Sequence, residues 1–224
     1  MSHTSHLPWI IGPALLSLMA PPSIVAQTDG TGTSCVPVTE RAGRELGCFI
    51  VATEPIGRLD SARAFWHLST FPTRAAAKAA GGSRGSVVES LGKVWLFTIA
   101  EANWRPSGGT HIAAIGPLPV APGVAYAAQY MEAVFRPGMK SRVHRHSGPE
   151  AWYTLAGETC LETPAGILVG RAGGQPVIVP QGPPMELTAT GTNVRRAVVL
   201  ILYDTTQPAS SPASDWSPKG LCKG

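Results

Sequence analysis

From residue 126 to residue 203 the chain is a succession of short apolar runs broken by turn residues, the pattern of β-strands rather than helices. The run YAAQYMEAVF (126–135) ends at the turn Arg136-Pro137-Gly138, and strands are expected at 151–155 and 159–163, on either side of Ala156-Gly157. Pro164-Ala165-Gly166 turns the chain again, 177–179 and 186–189 flank Gln181-Gly182-Pro183-Pro184, and 194–203 closes the set. Strands of this kind need their edges removed, so the pattern predicts a double-sheet jelly roll or small barrel with an interior cavity.

Upstream the grammar changes. Residues 47–53 (GCFIVAT) and 64–68 read as strands, and TRAAAKAA (73–80) reads as a helix that Thr70 or Thr73 can cap and Gly81-Gly82 stops. Residues 86–90 and 93–100 read as a hairpin about Leu91-Gly92. The order β-β-α-β-β over 35–117 predicts an N-terminal α+β region, either a small domain or elements laid against the barrel. Trp66, His67, Trp95 and Trp104 are cleft candidates, although large aromatics in strands are more often core. His67 and His111 are weak candidates for an additional metal ligand. There is no internal repeat.

Composition narrows the class. Of 224 residues 44% are hydrophobic and only 14% charged, enough for a full core. The 25 glycines and 21 prolines favour short strands and many turns. A net charge of +4 without a basic run argues against a nucleic-acid partner.

The first 26 residues read as a signal peptide: residues 7–20 are mostly apolar and too short to span a membrane, Pro21-Pro22 breaks them, and Ile24-Val25-Ala26 offers a cleavage site. Its n-region lacks Lys and Arg, which departs from the usual pattern. The mature chain is expected to be periplasmic or secreted, with no membrane span once the signal is removed. In such a compartment Cys35, Cys48, Cys160 and Cys222 are expected as disulfides, and of three possible connectivities the expectation is Cys35 with Cys48 and Cys160 with Cys222. The second bond would tie the Pro/Ser-rich tail, 207–224, back onto the barrel.

The chemistry is concentrated in GMKSRVHRHSGPEAWYTLAG (138–157). Alternate side chains of a strand share a face, so His144 and His146 point the same way, and the Ser147-Gly148-Pro149 turn can return Glu150 beside them. Two imidazoles and one carboxylate are the donor set of a non-haem metal site with open coordination positions. The spacing of Gly138, His144, His146, Glu150 and Gly157 resembles the first motif of the cupin superfamily at every fixed position. Gly174, Pro180 and Gly182 resemble the opening of its second motif, but Met185 stands where that family places a fourth, histidine ligand, and Ala189 where it often has Asn.

The resemblance covers roughly residues 118–206 and implies a mainly β fold, the cupin double-stranded β-helix, carrying the N-terminal α+β extension. It also implies one divalent metal ion, Fe(II), Mn(II) or Zn(II), held by His144, His146 and Glu150. Met185 is either an apolar wall or a weak contact, and since a thioether is soft, copper enters the choice if Met185 coordinates. A homodimer is a further implication of the family.

Strand alternation then names a cavity wall. Arg142, on the face of the two histidines, is a candidate to bind a carboxylate or phosphate, and Trp152 and Thr154 continue inward from Glu150. On the preceding strand the inward set is either Tyr130, Glu132 and Val134 or Gln129, Met131 and Ala133. If the first, Glu132 is a candidate base or extra ligand and Tyr130 a pocket residue. Met185 and Leu187 would make the opposite wall apolar. Such a cavity suits a small oxygenated organic substrate, in an enzyme of dioxygenase, isomerase or lyase type. The alternative is a non-catalytic cupin that binds a metal or small ligand.

Overall fold

The computed structural model describes residues 34–59 and 64–223 together with Met1, and these residues, Met1 apart, belong to one unit, 31–224. The expected targeting segment, 1–26, lies outside the described residues except for Met1. The first half runs β1 (Cys35–Pro37), β2 (Gly47–Arg58), β3 (Phe65–Phe71), α1 (Arg74–Gly81), β4 (Ser86–Ser90), β5 (Lys93–Ala100) and β6 (Thr110–Ile115). There follow β7 (Ala125–Phe135), β8 (His144–His146), β9 (Glu150–Ala156), β10 (Glu158–Thr163), β11 (Gly166–Arg171), β12 (Val177–Val179), β13 (Glu186–Thr190), β14 (Arg195–Asp204) and β15 (Ser210–Pro212). The fold is mainly β, with α1 the one α-helix among the described residues.

Four sheets result. A six-stranded sheet of order β1-β2-β7-β14-β9-β12 is the central layer. On one side of it lies the three-stranded sheet β11-β10-β13 with the two-stranded pair β15-β8, and on the other the four-stranded sheet β4-β5-β3-β6. The layer between the six- and three-stranded sheets is the jelly-roll interior, packed with Met131, Trp152, Leu161, Met185, Leu187 and Val199. The other interlayer is an aromatic core: Trp66 meets Phe97 edge-on at 5.4 Å, and Tyr130 lies 5.1 Å from Phe97 and 6.2 Å from Trp66. Burying side chains of this size contributes roughly 1.5–3 kcal/mol each, so the four-stranded sheet is fastened by packing and not by backbone pairing.

Within residues 35–117, β3 to β6 form the separate four-stranded layer, while β1 and β2 are part of the six-stranded sheet. β2 pairs along its length with β7, Gly47 opposite Val134 to Arg58 opposite Ala125. Pro55 and Gly57 interrupt its apolar pattern, which is why the sequence predicts a strand only to residue 53; both fall at a register shift, where a missing donor is tolerated. Helix α1 forms where expected, with Thr73 accepting a hydrogen bond from the Ala76 amide at 3.1 Å and Gly82 ending it at φ 59°. The β4–β5 hairpin turns at Leu91 (φ 52°) and Gly92 (φ 74°), the pair of positive angles of a tight hairpin turn.

Both disulfides form as expected, Cys35 with Cys48 and Cys160 with Cys222. The first links β1 to its parallel neighbour β2. The second holds the tail, whose Lys219 and Leu221 amides donate to the buried Glu162 carboxylate of β10. The tail also contributes β15, antiparallel to β8 with Ser210 opposite His146 and Pro212 opposite His144. It is therefore a wall of the interior and not an appendage.

Candidate functional site

A cavity of about 510 Å³ opens inside the jelly roll, bounded by β2, β7 and β14 on one side and by β8, β10, β13 and the tail on the other. His144, His146 and Glu150 all line it. Strand β8 places the histidines two residues apart on one face, and turns Arg145 outward, where its Nη2 donates to both carboxylate oxygens of Asp215 at 2.8 and 2.9 Å. The return to Glu150 passes through Gly148, where a Cβ would stand 1.8 Å from the Leu202 carbonyl oxygen. Only glycine lets the chain press against β14 there. Pro149 then accepts from the Leu202 amide at 2.9 Å, and Glu150 enters β9 opposite Ile201.

The histidines are held by their Nδ1 atoms. His144 Nδ1 lies 2.6 Å from the Arg142 carbonyl and His146 Nδ1 2.8 Å from the Ala209 carbonyl on the tail. A carbonyl oxygen only accepts, so each Nδ1 carries the proton and each neutral ring presents an Nε2 lone pair. These two Nε2 atoms face each other at 3.1 Å, and His146 Nε2 lies 3.6 Å from Glu150 Oε2. Facing lone pairs repel unless something positive lies between them.

A proton is a poor candidate. Burial pushes the His146 pKa down to about 4, against a partial rise from the Ala209 hydrogen bond, and burial lowers that of His144, helped by His146 and opposed by Glu150. Glu150 is raised by burial, against lowering by His144 and Arg195. At neutral pH His146 is therefore uncharged, and its contact with Glu150 is not an ion pair. Glu150 Oε2 is buried and has no hydrogen-bond partner among the described residues.

These features fit a cation. Nitrogens on adjacent positions of one ion, bonded at about 2.1 Å, stand roughly 3.0–3.4 Å apart, and Nδ1 hydrogen bonds to carbonyls are the usual outer partners of metal-bound histidines. Among the described residues, however, no group of three or more His, Cys, Asp and Glu side chains is placed so that it could hold a metal ion. The contacts run in sequence, His144 to His146 to Glu150.

The other expected residues divide. Leu187 lines the cavity, and Arg142 lines it while remaining exposed, which puts it at the rim. Met185 forms a backbone bridge with His144, its amide donating at 2.8 Å and its carbonyl accepting at 3.1 Å. Its side chain and that of Trp152 are fully buried in the apolar cluster beside the cavity, and neither lines it.

Glu132 and Tyr130 need correction. They leave the opposite face of β7, because the inward set is Gln129, Met131, Ala133 and Phe135. Glu132 pairs with Arg41 and accepts from Ser90 Oγ at 2.6 Å and from the Leu91 amide at 3.3 Å, which locks the β4–β5 hairpin onto β7. Tyr130 belongs to the aromatic core, where its hydroxyl meets Glu54 at 3.3 Å. Trp66 and Trp95 are also core. His67 and His111, 6.0 Å apart on the four-stranded sheet, stay outside the cavity.

Sequence reasoning missed Arg195. It begins β14, is fully buried, and shares the inner face of that strand with Val199 and Ile201. Its Nε donates to Thr159, its guanidinium lies 5.5 Å from the Phe135 ring, and among the described residues neither terminal nitrogen has a hydrogen-bond partner. Burial lowers its pKa to about 10, and the Glu150 charge opposes that shift. Period-two spacing along β14 contains the signal, but only once the inner face of that strand is known.

No family model and no curated protein matches the chain. Solved structures are similar over part of it, at low identity. A cupin-like protein from Thermotoga maritima is 15% identical over 38% of this chain and 64% of its own, with a TM-score of 0.35. An oxalate oxidase bound to the substrate analogue glycolate is 19% identical over 38% and 45%, TM-score 0.32. A Cupin 2 conserved barrel domain protein from Salinispora arenicola is 20% identical over 35% and 65%, TM-score 0.31. In each case the chain spans under two thirds of the other protein's length.

Proposed function

We propose that this chain is an exported, metal-dependent enzyme of cupin type that acts on a small oxygenated organic molecule inside the jelly-roll cavity. The observation that carries the reading is the pair of Nε2 atoms at 3.1 Å, each made a lone-pair donor by an Nδ1 hydrogen bond to a carbonyl, beside the orphaned carboxylate oxygen of Glu150. His144, His146 and Glu150 would hold the ion. When bound, a divalent metal supplies Lewis-acid polarisation of a substrate oxygen, or a place for dioxygen beside the substrate.

The chain's own residues do the remaining work. The Arg142 and Ala209 carbonyls hold both imidazoles in one tautomer, so no reorientation is needed when a ligand arrives. Met131, Leu161, Leu187 and Val199 line the cavity with apolar surface, which excludes water and favours a substrate with a hydrocarbon part. The disulfides support export, since such bonds persist in oxidising compartments. Among the described residues no helix is long and apolar enough to cross a membrane.

The test is elemental analysis of protein purified without a histidine tag, followed by a screen for dioxygen consumption and substrate loss. One equivalent of Fe, Mn or Zn per chain, lost in His146→Ala, is the expected result. Metal content that is negligible in the wild type and unchanged by the substitution would overturn the reading.

A further inference from the structure

Arg195 has no role in holding a metal, yet it is among the largest fully buried side chains of the protein. Among the described residues its side chain makes one hydrogen bond, from Nε to Thr159 on the strand across the cavity. Both terminal nitrogens, four N–H donors between them, are closed to solvent and have no acceptor among the described residues. The Phe135 ring offers one face to the cation. The buried Glu150 charge acts on this guanidinium but accepts no hydrogen bond from it, and leaving buried donors unsatisfied is costly. A merely structural arginine would be expected to find hydrogen-bond acceptors for its terminal nitrogens, whereas this one lines a cavity without them.

The strand register gives the relation to the histidine-carboxylate group. Glu150 stands opposite Ile201 on β14, and Arg195 lies six residues back along the same strand. Val199 and its β7 partner Met131 line the wall between them. The inner surface therefore carries a forked cation toward one end, apolar side chains in the middle, and the His144–His146–Glu150 group toward the other.

We propose that Arg195 is the substrate anchor, and that the cavity takes an organic carboxylate with an apolar body, its acid group on the Arg195 fork and its far end beside His144, His146 and Glu150. This deepens the reading of the cavity as a substrate site and rests on it. A carboxylate satisfies both terminal nitrogens at once, which a hydroxyl or a carbonyl cannot, and bidentate pairing of this kind fixes orientation as well as affinity. The anchor is Arg195 rather than Arg142, because Arg142 lies exposed at the rim, where a charge pair is weakened by water.

The experiment uses 4-phenylbutanoate and its amide as probes, titrated calorimetrically into the full chain as purified. The acid should bind the wild type and the amide should bind roughly tenfold to a hundredfold more weakly, the loss of one charge-assisted pair. Arg195→Gln should bring the acid down to the amide's affinity and leave the amide unchanged, a selectivity change that general loosening of the fold does not produce. Arg195→Lys keeps the charge without the fork and should retain only part of the preference; it also serves where the glutamine variant does not fold.

Equal affinity of wild type for acid and amide, or no binding of either at millimolar concentration, would overturn the proposal, as would undiminished acid preference in both variants. Metal analysis on the same samples separates this outcome from that of the metal reading: acid preference without metal leaves the anchor standing, and metal without acid preference removes it.

Discussion

His144 and His146 face each other through Nε2 at 3.1 Å while the backbone holds each ring by its other nitrogen. That relationship separates ligands from neighbours. His146→Ala should abolish most of the metal bound by the purified protein, as read by elemental analysis. Met185→Ala should leave metal content near that of the wild type and instead cost about 2–5 kcal/mol of stability, because Met185 is fully buried in the apolar cluster. Equal metal loss in both variants would make Met185 a ligand.

The pH response of metal-free protein follows from burial of His146. Its folded pKa of about 4 lies below the ordinary 6.5, so in that interval the unfolded chain binds the extra proton. Its contribution to stability is complete above about pH 6.5 and is lost as pH falls toward 4. Glu150, raised by burial, has the opposite sign and opposes part of the loss. The urea midpoint should fall on acidification from neutral pH, and His146→Gln should flatten the profile; an equally steep profile in the variant would assign the slope to other groups.

The two disulfides should differ in weight. The Cys160–Cys222 bond closes a separation of 62 residues and Cys35–Cys48 one of 13, so chain-entropy loss in the unfolded state suggests about 4 and about 3 kcal/mol respectively. The tail also supplies the Ala209 carbonyl that holds His146. Replacing Cys160 and Cys222 by Ala should therefore lower metal affinity as well as the denaturation midpoint, whereas replacing Cys35 and Cys48 should act mainly on stability. The reverse order of metal loss would contradict this.

Glu132→Gln tests the structural role given to that carboxylate. Breaking its contact with Arg41 and weakening those with Ser90 and Leu91 should cost about 1–3 kcal/mol, moderated by the partial exposure of Arg41. Metal content and probe binding should not change. A loss of metal with stability intact would return Glu132 to the site.

Gly148→Ala should be severe for its size. The added methyl meets a backbone carbonyl at 1.8 Å rather than the end of a flexible side chain, so β14 or the turn must move. A loss of about 3 kcal/mol or more is expected, together with metal, since the turn sets His146 against Glu150. Wild-type melting and metal content in this variant would show that the turn yields freely.

Which of these residues could be read from the chain depended on how many of their surroundings were local. The His-x-His pair and Glu150 are joined by a four-residue step, so strand period and turn chemistry suffice to place them together. The helix at Arg74–Gly81 carries its own cap and stop, and the Leu91-Gly92 hairpin its own positive-φ residue. The inward face of β7 was different. Nearly every residue from Tyr126 to Phe135 is buried, because the strand lies between two packed layers, and alternation of polarity vanishes where both faces are covered. That is why Glu132 and Tyr130 were equal candidates with Gln129 and Met131.

By itself the sequence carried the strand-rich class and the grouping of His144, His146 and Glu150, since each follows from short-range periodicity, and it reduced the four cysteines to three possible connectivities, among which the structure chose. Only the tertiary structure decided which face of β7 looks into the cavity, that the tail braces His146, and that Arg195 is buried there with open donors. Those facts depend on strands far apart in the chain becoming neighbours, and the register that joins them is set by packing over the whole sheet.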